Sequence, residues 1–171
     1  VNEIEVIDVD FNFINGGSFA VTLKRKNDRS LSVSDRVGQV LAREIYSGIF
    51  DRSSIDSIQS RVDAHLRTTK RFFDEAAANG ESVIGYGAST KGNVLLQAAG
   101  IDPRLMPAIA ERDPRKFGRR TPGSGIPIIA EDEARLQSPD YLFVLPWHFK
   151  EEILERESLY LKSGGKIVFP L

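Results

Sequence analysis

The sequence of 171 residues contains no cysteine, only two histidines and a single tryptophan. Without cysteine the chain forms no disulfide and offers no thiolate for nucleophilic or metal chemistry. His65 and His148 are far apart in the sequence, outside the short spacings that are typical of histidine metal ligands. We therefore expect neither a metal site nor a fold held together by disulfide bonds.

A strong charge of one sign and a long apolar run are also missing. The 23 Lys and Arg residues nearly balance the 24 Asp and Glu residues, for a formal net charge of −1. No global basic field therefore favours nucleic acid. No apolar run approaches the roughly 20 residues that span a bilayer, and no signal peptide is visible. These features predict a globular cytoplasmic protein with no nucleic-acid or membrane partner.

Both ends of the chain suggest a piece of a longer protein. The first residue is Val1 rather than methionine, and the chain stops on the apolar run KIVFPL with almost no tail. At this length we expect one domain, or one domain with an appendage. The pattern of predicted strands and helices divides the chain into two parts. Residues 1–80 form an N-terminal hairpin with connecting helices, and residues 81–171 form a part in which strands and helices alternate.

The first part carries two strand patterns and two helix patterns. Strands are predicted over 3–9 and 18–25, joined by a turn at Asn15-Gly16-Gly17 that requires positive φ. Helices are predicted over 35–49 and 54–79, where apolar residues recur at a helical period.

The second part alternates short apolar strands with helices. The predicted strands cover residues 82–87, 106–111, 126–129, 140–145 and 166–169, and the predicted helices cover 91–99, 131–136 and 148–162. Such alternation favours a parallel sheet with right-handed crossovers. The predicted class is α/β, a Rossmann-like parallel sheet with flanking helices, preceded by a β-hairpin and two connecting helices.

The most informative stretch is GYGASTKGN, which follows the first of these strands. Glycines at a strand exit let the backbone turn tightly and approach a ligand, and the helix that follows offers N–H groups to a phosphate. The stretch is not a P-loop, and Thr90 stands where a dinucleotide fingerprint has its third glycine. A plain strand-to-helix turn stays an open alternative. The candidate ligand residues are Gly85, Tyr86, Gly87, Ala88, Ser89, Thr90, Lys91 and Asn93.

Further candidates follow the other strands, because ligands of open α/β sheets bind beyond the carboxyl ends of the strands. Glu111 lies 24 residues after Gly87, near the position of a ribose-binding acid. In the basic run that follows, Arg115 and Lys116 could pair with a diphosphate. The turn-rich loop with Pro122, Gly123 and Ser124 could fold over a ligand. Trp147 could cover a base or sugar. Solvent-exposed loops and a ring filling a groove are the corresponding structural alternatives.

Four separated motifs in order resemble one family. GYGASTKGN, AERDPRKFG with TPGSGIPI, and LPWHFKEEI with GGKIVFPL are similar to the C-terminal domain of S-adenosylmethionine-dependent sugar C-methyltransferases. FINGGSFAV resembles the segment that leads into that domain. These enzymes methylate nucleotide-linked deoxysugars, for example at C-3 of a dTDP-4-keto sugar.

The resemblance implies an enzyme with a zinc-binding module, an S-adenosylmethionine domain and a sugar-nucleotide domain, of which this chain is the last. The family's catalytic Tyr, Glu and His residues lie upstream, so the chain alone is expected to be inactive and to bind no S-adenosylmethionine. The implied partners are the nucleotide-sugar substrate and the upstream methyltransferase domain. Asn15, which replaces a common family histidine, and Ser18 are candidates for supporting roles at the shared cleft.

Two other functions stay open from the residues themselves. One is the NAD(P)-binding domain of an oxidoreductase, against which Thr90 counts. The other is a non-catalytic nucleotide-binding module. The identity of the sugar and base, the methylated position and its stereochemistry do not follow from the sequence.

Overall fold

A computed structural model describes residues 3–171 of the chain. Its contacts divide the chain into two compact units, one ending at Arg61 and the other running from Val62 to Leu171. The division falls inside one long helix. A functional boundary near residue 80 stays a prediction.

The first unit contains an antiparallel hairpin of β1 (Ile4–Asn12) and β2 (Ser18–Arg25). Asn15, Gly16 and Gly17 in its turn all have positive φ, as expected for that sequence. The first strand extends beyond its predicted end, since its pairing continues to Asn12, and its register shifts between Val6 and Asp8. This bulge turns Ile7 into a buried position, which explains why the hydrophobic alternation of the strand is poor.

The two faces of the hairpin differ in polarity. Arg36 of α1 (Asp35–Tyr46) donates hydrogen bonds to the carboxylates of Asp8 and Asp10, which lie on the polar face. On the opposite face Phe11 and Phe19 are a cross-strand pair, with ring centroids 6.3 Å apart, and stay more than half exposed.

The second unit contains a five-stranded parallel sheet with the order β5-β4-β3-β6-β7. Its strands are β3 (Val83–Tyr86), β4 (Ile109–Glu111), β5 (Ile128–Ala130), β6 (Tyr141–Val144) and β7 (Lys166–Val168). The helices are the part of α2 (Arg52–Ala78) from Val62 onward, α3 (Thr90–Ala98), α4 (Glu131–Leu136), α5 (Lys150–Arg156) and α6 (Ser158–Lys162). This confirms the predicted class, a parallel α/β sheet with flanking helices and an N-terminal hairpin. None of the helices within residues 3–171 is long and apolar enough to cross a membrane.

Two apolar cores cover the two faces of this sheet, because alternate residues of each strand point to opposite sides. On one face Phe73 of α2 and Leu96 of α3 pack with Phe143 of β6. On the other face Ala134 of α4 and Ile153 of α5 pack with Leu142. The strand run YLFV is therefore buried on both sides, as its continuous hydrophobicity indicates.

The helix predicted over 148–162 is interrupted. A 3-10 turn covers Trp147–Phe149, and α5 and α6 are separated at Glu157, whose backbone leaves helical geometry. The side chain of Glu157 is buried, and its carboxylate accepts hydrogen bonds from Tyr86 and Arg135. A continuous amphipathic pattern does not reveal such a break, because the partners of Glu157 come from distant parts of the chain.

Close packing of α3 on β6 requires the glycine at position 92. A methyl group added there would lie 2.4 Å from Cβ and 3.0 Å from Cα of Leu145. We expect Gly92→Ala to lower the free energy of unfolding by about 1–3 kcal/mol, because overpacking forces the helix away from the sheet. Urea unfolding followed by Trp147 fluorescence and by circular dichroism measures this change.

Gly38→Ala is the matched control, since Gly38 also lies in a helix but has open space around the added methyl group. It should leave stability unchanged or raise it by about 0.5–1 kcal/mol. An equal change in the free energy of unfolding for Gly92→Ala and Gly38→Ala would contradict tight packing at position 92.

A candidate ligand site at the carboxyl ends of the strands

A cavity of about 360 Å³ lies beyond the carboxyl ends of β3, β4 and β6. At this point of the sheet the chain order reverses, since β4 lies on one side of β3 and β6 on the other. Open α/β sheets bind ligands at such a switch point. The cavity is lined by Tyr86, Gly87, Ala88, Ser89, Thr90, Glu111, Arg112, Lys116, Glu131, Pro146, Phe149, Glu152, Ile153 and Arg156.

The loop after β3 forms one wall of the cavity. Gly87 has φ of 77°, and a Cβ there would lie 2.8 Å from the ring of Pro146, so only glycine fits. Ser89 caps α3 by accepting a hydrogen bond from the backbone N–H of Gly92 at 3.1 Å. The loop therefore brings the start of a nine-residue helix to the cavity, where the helix dipole favours an anion.

Glu111 ties this loop to the loop after β4. Its carboxylate accepts hydrogen bonds from the Ala88 backbone N–H at 3.0 Å and from Lys116 Nζ at 2.9 Å. Lys116 Nζ also donates to the carbonyl oxygen of Ala88 at 3.0 Å. The backbone N–H groups of Arg112 and Asp113 complete the shell of donors around Glu111. Two residues predicted to contact a ligand thus also brace the loops that form the cavity.

The surroundings of Glu111 favour its ionised form. Burial alone would raise the pKa of its carboxyl, but the hydrogen bonds from Lys116, Asp113 and Arg112 outweigh burial and hold the pKa below its ordinary value of 4.5. The carboxylate is therefore charged near neutral pH and neutralised by its lysine neighbour.

Several predicted site residues lie outside the lining of the cavity. Ser124, from the Pro122-Gly123-Ser124 turn, donates a 3.3 Å hydrogen bond to the side chain of Asn93 on α3. Trp147 packs partly buried against the core beneath α2 and α3. Arg115 is exposed and paired with Asp113, and the buried Gly85 and the exposed Lys91 also fall outside the lining. Asn15 and Ser18 lie in the hairpin of the first unit. Their roles stay predictions.

Other lining residues escape motif reasoning. Glu131 begins α4 directly after β5, so the rule of looking beyond each strand would have identified it. Phe149, Glu152, Ile153 and Arg156 lie on the 3-10 turn and helix after β6. Their helical spacing places them on one side of a helix but gives no sign of a ligand, and only the fold brings them to the cavity.

A larger cavity of about 720 Å³ adjoins the first beneath α4, α5 and α6. The two cavities share Tyr86, Glu131 and Arg156 in their walls. Between them lies a buried polar cluster in which the Tyr86 hydroxyl donates to Glu157 at 2.6 Å and Arg135 donates to the same carboxylate at 2.8 Å.

We expect Glu111→Gln to lower the free energy of unfolding by about 1–3 kcal/mol near neutral pH, because the amide loses the charge that Lys116 and three backbone N–H groups require. The pKa of Glu111 is lowered by folding, so its contribution is complete above the ordinary value of 4.5 and declines as the pH falls through the lower folded pKa. Urea unfolding at several pH values measures the difference between variant and parent.

Glu133→Gln is the control, because Glu133 is an exposed acid of α4. It should change stability by less than about 0.5 kcal/mol. A Glu111→Gln deficit that is the same at neutral pH and well below pH 4.5 would contradict the charged role of Glu111.

The comparisons with known proteins agree with the motifs in the sequence. The family described as the C-methyltransferase C-terminal domain matches residues 13–171. The C-methyltransferase NovU of Streptomyces niveus is 32% identical, in a match that takes in 98% of this chain and 40% of NovU. This chain thus spans about two-fifths of the length of the curated relative that it matches. The resemblance inferred from the motifs is confirmed, and the chain belongs to the C-methyltransferase C-terminal domain family.

Proposed function

We propose that this chain is the sugar-nucleotide-binding part of an S-adenosylmethionine-dependent C-methyltransferase, acting on a dTDP-linked keto-deoxysugar. The observation that carries the proposal is the glycine loop with its helix start, which lines a cavity at the switch point of the sheet. Folds of this kind bind the phosphates of nucleotides at that place.

The cavity suits the diphosphate of such a ligand. Ser89 and Thr90 at the start of α3 line it, and Arg112 and Lys116 of the loop after β4 supply cations to its wall. The charge of Lys116 is largely offset by Glu111 at 2.9 Å, which leaves Arg112 as the stronger attraction for an anion on that wall. Charge-assisted hydrogen bonds of this kind give both affinity and orientation.

S-adenosylmethionine does not fit the same loop. Its usual strand-end loop has a third glycine and an acidic residue of its own, where this chain has Ser89 and Thr90. The nearest carboxylate, Glu111, is already bonded to Lys116 and three backbone N–H groups. We therefore place the cofactor, which supplies the methyl group, outside this chain.

The role of this chain in the reaction is then to hold the diphosphate and present the sugar to the methyl donor. Fixed orientation of reacting groups can account for several kcal/mol of barrier lowering, about 7–11 kcal/mol at the upper end. Proton removal beside the keto group needs a base, which we assign to an upstream domain. Asn15 and Ser18 in the hairpin turn are proposed to support that chemistry.

An upstream domain of the same polypeptide is the proposed partner, in a cytoplasmic enzyme. NovU is a C-methyltransferase more than twice as long as the matched chain. The apolar face of the hairpin supports this proposal, because exposed apolar patches of this kind mark interaction surfaces. The residues of this face are Val6, Val9, Phe11, Phe19, Val21 and Leu23.

We expect dTDP to raise the thermal midpoint of this chain, and NAD and S-adenosylmethionine to leave it unchanged at equal concentration. A ligand that binds only the folded state stabilises it by about 2.7 kcal/mol at 100 times its dissociation constant. Thermal shift, followed by calorimetric titration with dTDP, UDP, NAD and S-adenosylmethionine, measures the effect. Stabilisation by NAD alone would favour an oxidoreductase domain instead.

Two variants of the basic loop serve as a matched pair in the same titration. Arg112 lines the cavity, whereas Arg115 is bonded to Asp113 outside the lining. Arg112→Ala should weaken dTDP binding by about tenfold or more, as expected for loss of a charge-assisted hydrogen bond, and by more than Arg115→Ala does. Equal losses would indicate that only the overall charge of the loop attracts the nucleotide.

A further inference from the structure

The last residue of α5, Arg156, stands in the wall between the two cavities of the second unit. Its side chain is 27% exposed, so the guanidinium is neither buried nor free in solvent. An arginine offers five N–H donors in a rigid planar fork, which allows one edge to be anchored while another edge faces a ligand.

One edge of this fork is anchored on the protein. Nε of Arg156 donates to the Tyr86 hydroxyl oxygen at 2.8 Å, and Nη2 donates to the same oxygen. Nη2 also lies 3.4 Å from the carboxylate of Glu131. The guanidinium carbon is 5.1 Å from the centre of the Tyr86 ring, so stacking and hydrogen bonding fix the same group.

The hydroxyl oxygen of Tyr86 acts only as an acceptor toward Arg156, because the hydroxyl proton is donated to another residue. The hydroxyl donates to Glu157 at 2.6 Å, which leaves its lone pairs for the arginine. Burial and the hydrogen bond to Glu157 raise the pKa of Tyr86 far above its ordinary value of 10.0. The hydroxyl therefore keeps its proton near neutral pH and stays a donor to Glu157.

Arg156 lines the smaller cavity as well as the larger one, and Nη1 is the nitrogen of its fork that is not anchored on Tyr86. Within residues 3–171, Nη1 of Arg156 donates no hydrogen bond, and it lies 4.0 Å from the carboxylate of Glu152. The Glu152 side chain is 60% exposed, so it can turn into solvent when an anion approaches. An edge held in this way is preorganised to donate to a phosphate oxygen.

We propose that Arg156 binds the diphosphate of the nucleotide ligand through its Nη1 edge, and that Tyr86 is a positioning residue that acts through Arg156. The inference rests on the proposed nucleotide site and extends it to a residue that no sequence motif indicates. Arg156 thereby joins Arg112 and the start of α3 among the groups of the cavity lining that attract an anion.

Arg135 provides a matched control for this assignment. It bonds to two of the acids that also surround Arg156, Glu157 at 2.8 Å and Glu131 at 3.3 Å. However, it lines only the larger cavity. Its loss should therefore disturb the same buried cluster without removing a donor from the nucleotide site.

Calorimetric titration of the chain with dTDP and with inorganic diphosphate tests the proposal. Arg156→Gln should weaken both ligands by about tenfold or more, whereas Arg135→Gln should stay within about twofold of the parent. Thermal unfolding without ligand should show similar losses for the two variants. Arg156→Lys, which keeps the charge without the fork, should recover only part of the affinity. Parent-like affinity of a folded Arg156→Gln chain would overturn the proposal.

The two ligands separate this inference from the proposed function. Diphosphate binding that depends on Arg156, with no preference for dTDP, would support the role of Arg156 and contradict the proposed nucleotide ligand. Binding of dTDP with the same affinity in Arg156→Gln and in the parent would support the nucleotide ligand and contradict the role of Arg156. A parent chain that binds neither would overturn both.

A double-mutant cycle tests the positioning role of Tyr86. Tyr86→Phe should weaken dTDP by about threefold to tenfold in the parent, and should have no further effect in Arg156→Gln, because the hydroxyl acts only through the arginine. Additive losses would instead assign the hydroxyl a direct contact or a purely structural role.

Discussion

The carboxylate of Glu111 is the interaction on which the candidate site depends. It joins the loop after β3 to the loop after β4 through Ala88 and Lys116, and its four hydrogen bonds from four residues form only if both loops are in place. Unmet donors or acceptors at a partly buried position are destabilising. The glycine turn, the start of α3 and the basic loop are therefore held in one arrangement before any ligand arrives.

Beneath this site a second polar cluster links the sheet to α4 and α5. Tyr86, at the end of β3, connects the buried Glu157 to Arg156, which reaches the cavity. The break between α5 and α6 lies at Glu157, whose carboxylate accepts the hydrogen bond from Tyr86 of the central strand. The proposed binding thus uses residues that also stabilise this face of the sheet, so variants must be measured for both affinity and stability.

Much of the fold follows from local patterns, and much of the site does not. Alternation of apolar strands with helices predicts the parallel sheet, and Asn15-Gly16-Gly17 predicts the turn of the N-terminal hairpin, because both patterns are local in sequence. The break at Glu157 and the bulge at Ile7 are set by tertiary partners, so periodicity misses them. The composition of the glycine loop indicates a ligand site. Arg156 cannot be distinguished from other surface arginines in the sequence, because only the fold brings it beside Tyr86.

The central claim is that a nucleotide diphosphate binds at the glycine loop. Backbone amide resonances of this chain, followed by NMR during a dTDP titration, test it most directly. The account predicts that the largest shifts occur at Gly87, Ala88, Ser89, Thr90 and Arg112, with the Nη resonances of Arg156 moving at the same ligand concentration. Shifts confined to the far rim of the larger cavity, around Ser163 to Gly165, with an unchanged glycine loop would contradict it.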